Sequence, residues 1–241
     1  MEVYLSRLIL NARDSRVRRD VSDTYQLHRT ILSAFPQAPA GVSAREHFGI
    51  LYRLEALEQE PLLFRLIVQS TTQPSWSALP ARIFGPAPDE RGNPAVRRVD
   101  EEYGRISNGM QLVFRLRANP TRRVSQHLED NDPLAGKRVA LLREEDQLAW
   151  LARKGEQHGF RLLTTHYANI PAAQAAKQAN ERGYRPVGDD RKSMPLTFGA
   201  TVFTGQLEVT DAERFRNALF KGIGSGKAFG FGLLSVASAS R

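Results

Sequence analysis

Apolar and polar residues alternate from Val3 to Asn11, the period-2 pattern of a strand with one buried face. Ser22-Asp23 then offers an N-cap, and a helix is predicted from there to about Phe35, where Pro36 stops it. Ile50–Leu57 and Leu62–Gln69 read as two strands, followed by a helical piece near Trp76–Phe84 and a Pro/Gly loop from Gly85 to Pro94. Leu112–Arg117 is the next strand, ended by Asn119-Pro120. The second half repeats the order. A short strand at Arg138–Leu142 precedes a helix over Glu144–His158, with Leu148, Leu151 and Ala152 at helical spacing. Phe160–Thr165 and Ala200–Val209 are strands, Asp211 caps a helix through Phe220, and Phe231–Ala237 closes the chain as a strand. Residues 124–136 are a polar loop. Residues 171–195 read as an excursion from the second sheet, with an Ala/Gln-rich stretch, Ala172–Arg182, whose composition permits a helix. Two β-α-β-β-α-β runs in series predict an α+β protein of two tandem ferredoxin-like domains, 1–120 and 137–241, joined by a linker at 121–136.

Composition narrows the class. The 241 residues suffice for one large or two small domains, and 41% hydrophobic with 25% charged residues exclude a disordered or fibrous chain. No apolar run approaches the ~20 residues of a membrane span. The first residues lack the basic head and apolar core of a signal peptide. With no cysteine, disulfides, thiolate metal sites and a cysteine nucleophile are excluded, and a cytoplasmic protein is expected. Charge changes the picture further. The 34 Lys and Arg against 26 Asp and Glu give a net +8. Only six of those cations are lysine (137, 154, 177, 192, 221, 227), leaving 28 arginines. Guanidinium forks onto phosphate and stacks on bases, so this excess favours a polyanionic partner. A solvated basic surface, or an arginine-rich coding bias, stands as the bland alternative.

Three segments could carry chemistry. On the helix after Asp23, Leu27, Ile31 and Ala34 form the buried stripe; His28 lies about 100° from it and Tyr25 about 160°, neighbours at i, i+3 on the open flank. With Arg29 nearby, an imidazole beside a phenol suits acid–base cleavage of a phosphodiester, although an ordinary exposed histidine fits the same pattern. The segment Gly222-Ile-Gly224-Ser-Gly226-Lys227-Ala-Phe-Gly230-Phe-Gly232 satisfies neither the P-loop nor the dinucleotide spacing. Its glycines still let backbone N–H groups at Gly224 and Gly226 approach a phosphate chain beside Lys227, unless they serve packing alone. Finally, strand alternation puts Arg115 and Arg117 on one face, and Arg122, Arg123, Lys137 and Arg138 extend that basic rail. A charge-protected edge strand is its structural counterpart. His47, His127, His158 and His166 show no ligand spacing, and Glu129, Asp130 and Asp132 read as solvated loop charges, so no metal and no cofactor are expected.

Together these segments resemble the CasE family, the CRISPR repeat endoribonucleases of the type I-E Cascade complex within the RAMP group. The resemblance is carried by Tyr4-Leu5-Ser6, Tyr25-Gln-Leu-His28 with Phe35-Pro36, Phe114-Arg-Leu-Arg-Ala-Asn-Pro120, Gln147-Leu-Ala-Trp150-Leu, and Gly222-Ile-Gly through Gly230-Phe-Gly232-Leu-Leu-Ser. It implies two ferredoxin-like domains that bind the CRISPR repeat hairpin in precursor RNA and cut once at its 3′ base without metal. The upstream 2′-OH attacks, leaving a 2′,3′-cyclic phosphate and a 5′-OH. His28 matches the family's catalytic histidine and Tyr25 its supporting tyrosine, with base or acid left open. The resemblance further implies that the protein stays with the mature crRNA among other Cascade subunits, and that Arg182, Arg185, Arg191 and Lys192 lie in a hairpin contacting the RNA stem. A non-catalytic RAMP-type crRNA-binding subunit is the alternative, separated from the enzyme by the Tyr25/His28 pair.

Overall fold

The computed structural model describes residues 1–124, 136–164, 172–178, 181–186 and 193–239, with 181–186 and 193–197 described by their backbone alone. The chain opens with β1 (Tyr4–Asn11), then α1 (Ser15–Ser22), α2 (Thr24–Leu32) and a single turn, α3 (Ala44–His47). The hairpin β2 (Leu51–Leu57) and β3 (Glu60–Ser70) follows, and after two 3-10 turns come β4 (Ala95–Arg98) and α4 (Asp100–Gly104). The second half comprises β5 (Gln111–Ala118), β6 (Thr121–Arg123), β7 (Arg138–Ala140), α5 (Glu144–His158) and β8 (Phe160–Leu162). It ends with β9 (Ala173–Lys177), β10 (Glu181–Pro186), β11 (Ser193–Phe198), β12 (Thr201–Val209), α6 (Ala212–Lys221) and β13 (Leu234–Ser238). Among the described residues no helix is long and apolar enough to cross a membrane.

Two antiparallel sheets organise these elements. The first runs β2-β3-β1-β4 and the second β13-β5-β12-β8, with β9 also paired to β12. Numbered within each unit, both orders read 4-1-3-2 from one edge, which is the ferredoxin-like arrangement twice over. The tandem fold expected from the sequence is therefore present, but two strands play other parts. The strand at 112–117, expected to close the first unit, is β5 and opens the second, pairing with β12 and β13. The fourth strand of the first unit is β4, which pairs with β1 over Tyr4–Arg7. Four residues behind Pro94 carry too short an alternation to stand out. The strand at Arg138 pairs with β6 in a separate two-stranded ribbon and does not open the second sheet.

Three local differences have plain causes. Asp14 caps α1 by accepting from the Arg16 and Val17 amides, but only Val17 and Asp20 of that helix are buried, so no apolar stripe announced it. Near Trp76–Phe84 a helix gives way to two 3-10 turns separated by Pro80. Ala173–Lys177 is a strand, not a helix, because it lies against Gly205 of β12, where any Cβ would collide with the Ala172 carbonyl and Ala173. Residues 125–135 of the loop expected at 124–136 lie outside the described residues.

Each sheet packs its helices on one face. Leu8, Leu27, Ile31, Ile50, Leu66 and Val68 centre the first core. Leu116, Leu151, Phe203, Phe215 and Leu219 centre the second, which also receives Val99 and Tyr103 from the connection after β4. Between the units lies a polar seam. Arg53 of β2, 4% exposed, donates to the carbonyls of Arg115 and Leu233 and to the Ser235 hydroxyl, and pairs with Glu55 at 2.7 Å. Gln69 donates to the Leu219 carbonyl and accepts from the Tyr103 hydroxyl. Replacing Arg53 by Met should cost about 3 kcal/mol in urea unfolding, because it leaves three acceptors unpaired in a buried seam and takes one arginine partner from Glu55; a change below about 1 kcal/mol would show that the seam does not hold the units.

Candidate active site and basic cleft

His28 sits on α2, whose register is fixed by Asp23 accepting from the Tyr25 amide and by Leu27 and Ile31 entering the core. The imidazole leaves the apolar stripe, as its position predicts, yet it is only partly exposed. Its ring stacks on Tyr52 of β2 at 6.1 Å between centroids and 22° between planes. Tyr52 is itself buried, and its hydroxyl donates to the Ala228 carbonyl at 2.8 Å, tying β2 to the glycine-rich loop of the second unit. Gly230, at φ +78°, completes the junction: a Cβ there would stand 3.0 Å from the Tyr52 ring. The 3-10 turn Lys227–Phe229 thus lies against α2 and β2, bringing the histidine and the glycine loop together across the seam.

This setting decides the protonation state. Burial lowers the His28 pKa to about 4, with Arg45 of α3 adding repulsion, so the ring is neutral at neutral pH. Its Nδ1 is sealed without a partner, which leaves Nε2 as the nitrogen free to handle a proton. Tyr25 is half-buried one turn earlier on the same flank, and Arg29 is exposed beside Arg16 and Arg19 at a small depression of about 210 Å³.

A larger cleft, about 630 Å³, opens in the second unit between the β6–β7 ribbon, α5 and the glycine loop. It brings together Arg122, Arg123, Arg138, Gly224 and Lys227 of the expected site with Arg153, Lys154 and His158 of α5. Among the described residues no carboxylate lines it. Burial and mutual repulsion lower the pKa values of Lys154, His158 and Lys227. Lys137 is exposed at the start of the same ribbon, and Gly226 lies in the loop over Phe198 and Phe231.

The arginine rail fares differently. Arg115 and Arg117 do share a face of β5, but that face turns toward the seam. Arg115 pairs with Glu55 at 2.9 Å, while Arg117 is buried over the Phe231 ring and donates to Gln178. Arg182 and Arg185 lie on β10, paired to Thr197 and Met194 of β11 in a ribbon that runs close to α2. Arg191 and Lys192 lie outside the described residues. Sequence reasoning missed Tyr52, a strand residue with nothing local to mark it, and Arg45. Lys154 and His158 had a signal in their i, i+4 spacing on the last turns of α5.

Fold and site together define a tandem ferredoxin-like, polyanion-binding protein with a neutral imidazole at the meeting of its two units. The chain belongs to the CRISPR associated protein family, whose model matches residues 3–238. It is 36% identical to the CRISPR-associated endoribonuclease Cse3 of Thermus thermophilus, over 98% of this chain and all of the relative. It is 27% identical to the CRISPR system Cascade subunit CasE of Escherichia coli, over 98% of this chain and 99% of that protein. A structure of the CRISPR endoribonuclease Cse3 bound to 19 nt RNA superposes with a TM-score of 0.75 at 33% identity, covering 98% of this chain and 100% of the other. The CasE resemblance seen in the sequence holds over the whole chain.

Because folding excludes a proton that the unfolded histidine would bind, stability should be full above pH 6.5 and decline as pH falls from there toward 4. His28→Ala should flatten that part of the profile in urea titrations. Tyr52→Leu should move the His28 titration, followed by NMR of the ring protons, upward toward 6.5; an unmoved midpoint would mean that Tyr52 does not seal the imidazole.

Proposed function

We propose that the chain is an endoribonuclease that binds the CRISPR repeat hairpin in precursor RNA and cleaves at its 3′ base. The observation that carries this reading is the neutral His28, with Nδ1 sealed and Nε2 available, held at the glycine loop of a chain related throughout its length to Cse3. On this reading Nε2 takes the proton of the upstream 2′-OH, and O2′ attacks the adjacent phosphorus. The bond to O5′ breaks, the departing oxygen gains a proton, and the products are a 2′,3′-cyclic phosphate and a 5′-OH. The depressed His28 pKa favours the base role, since an imidazole already neutral at pH 7 can accept but not donate. Tyr25 supplies a donor for charge growing on the phosphoryl oxygens. The cations of the cleft, with Arg29, hold the backbone of the RNA; Arg115 and Arg117 are engaged in the seam and belong to its support.

The kinship with a Cascade subunit supports retention of the cut RNA and assembly with other Cascade proteins in the prokaryotic cytoplasm. The unit carrying His28 ends, on this proposal, after α4, and the unit carrying the glycine loop begins with β5.

Purified protein incubated in EDTA with its repeat RNA should give one cut with a cyclic-phosphate end. His28→Ala should lower the rate by ~10²–10⁴-fold while binding stays within about tenfold. A 2′-deoxy nucleotide upstream of the cut should abolish the reaction. Normal cleavage of that substrate would refute the mechanism, and tight binding without cutting would mark a non-catalytic subunit. In a salt titration, binding should weaken steeply with log salt as phosphate contacts release counterions; a flat response would remove the cleft from the interface.

A further inference from the structure

We infer that Lys227 is the general acid of the cut, its ammonium giving a proton to O5′ as the bond to phosphorus breaks. The inference rests on the RNA-processing reading above and fills the proton transfer that this reading leaves without a residue.

Position comes first. Lys227 opens the 3-10 turn between Gly226 and Gly230, closed by the Phe229 amide donating to the Gly226 carbonyl at 2.8 Å. The Ala228 carbonyl in that turn accepts from Tyr52, whose ring stacks on His28, so one side chain joins the lysine's turn to the imidazole. The lysine stem runs over Gly232, where a Cβ would stand 3.4 Å from its Cγ. Half-buried, Lys227 lines the cleft, and it is also repelled by Arg45, the cation that acts on His28. It therefore stands where the cleft meets the imidazole, but on a different element and in the other unit. That separation suits the chemistry. In an in-line displacement the attacking and leaving oxygens lie on opposite sides of phosphorus, so base and acid approach from opposite sides. Tyr25, one turn from His28 on the same flank of α2, stands with the base.

The surroundings select the donor. Around Lys227, α3 brings Arg45 and the carboxylate of Glu46, α5 brings Lys154 and His158, and α6 brings Lys221. Burial, and after it Arg45, lowers the Lys227 pKa from the ordinary lysine value, so its proton is released more readily than that of a solvated lysine. Arg29 and Arg45 do not give up their protons, and His158, its pKa lowered by burial, has none to give at neutral pH. The step balances. The electron pair of the P–O5′ bond passes to O5′, which takes the proton from Nζ and leaves a neutral amine. His28 holds the proton of the 2′-OH, and exchange with water returns both groups to their starting states.

The test follows single turnovers of the full chain, with enzyme in excess, on two repeat RNAs. One is the natural RNA; in the other the bridging O5′ at the cut is sulfur, a leaving group that needs no proton. Lys227→Ala should cut the natural RNA ~10²–10⁴-fold more slowly than wild type, and the sulfur RNA within about threefold of it. Lys227→Arg keeps the charge but not a proton it can release, so it should be as slow as Lys227→Ala on the natural RNA. His28→Ala should be slow on both, because the 2′-OH must still lose its proton. Wild type alone gives a check independent of any variant: its rate on the natural RNA should fall at alkaline pH as Lys227 loses its proton, and that limb should be missing with sulfur. The proposal is overturned by an alkaline limb that survives sulfur, or by a Lys227→Ala loss equal on both RNAs in a protein that melts as wild type does. Full activity of Lys227→Arg, or a sulfur rescue of Tyr25→Phe in place of Lys227→Ala, overturns it equally. If wild type leaves the natural RNA uncut, the RNA-processing reading fails instead.

Discussion

Everything at the candidate site depends on one guanidinium. Arg53 leaves the edge strand of the first sheet and is spent almost entirely on the second unit, on two carbonyls and a hydroxyl of β5 and the β13 segment. Its charge is answered by Glu55, which also takes Arg115 at 2.9 Å and lies 3.6 Å from Arg65. A buried charge pair of this kind stabilises little beyond an apolar contact of the same size. What it does contribute is register: in this placement of the two sheets Arg53 meets Glu55, two carbonyls and a hydroxyl at once. Tyr52, the residue before Arg53, then reaches Ala228, and His28 meets the glycine loop. The site exists because β2 is locked to β5.

The legible part of this design was what local periodicity encodes. The α2 stripe placed His28 off the core, Asp23 and Asp211 announced their helices, and the α5 limits coincide with the pattern. The parts that stayed hidden were decided by contacts between distant segments. Whether residues 112–117 close one sheet or open the next depends on partners 85 or more residues away, and the strand itself looks the same in either place. Arg115 and Arg117 alternate as a rail for phosphates should, but nothing in their own strand reveals that Glu55 and Phe231 occupy that face. Tyr52 is invisible for the same reason: its importance comes from a carbonyl 176 residues away.

Electrostatics divides the molecule into two working regions with opposite needs. At His28 the protein keeps an imidazole neutral by burying it beside Arg45, so a base is present at neutral pH without being drawn into an ion pair. In the cleft, burial first and repulsion from neighbouring cations second lower the pKa values of Lys154 and Lys227. A polyanion bound there would favour the charged form of both lysines. The two regions share Arg45: it repels the protonated form of His28 and also lowers Lys227. An anion bound near Lys227 would offset that repulsion at both residues, raising the histidine pKa toward the working pH as substrate binds.

A fold selected for stability alone would not look like this. Of the six buried polar atoms without partners among the described residues, two, Nδ1 of His28 and Oδ1 of Asn119, belong to residues at the candidate site. Elsewhere the seam satisfies its buried polar groups with care: Gln69 uses both ends of its amide, and Arg53 meets four partners. Leaving an imidazole and a carboxamide unmet a short way from such a network costs free energy that apolar replacements of the same size would recover. Both stand among cations: Arg45 acts on His28, and Arg122, Arg138 and Lys227 line the cleft with Asn119. His28 and Asn119 share this unmet polarity with Ser6, Arg7, Arg16 and Trp76, so it marks the site only together with the cations gathered around it.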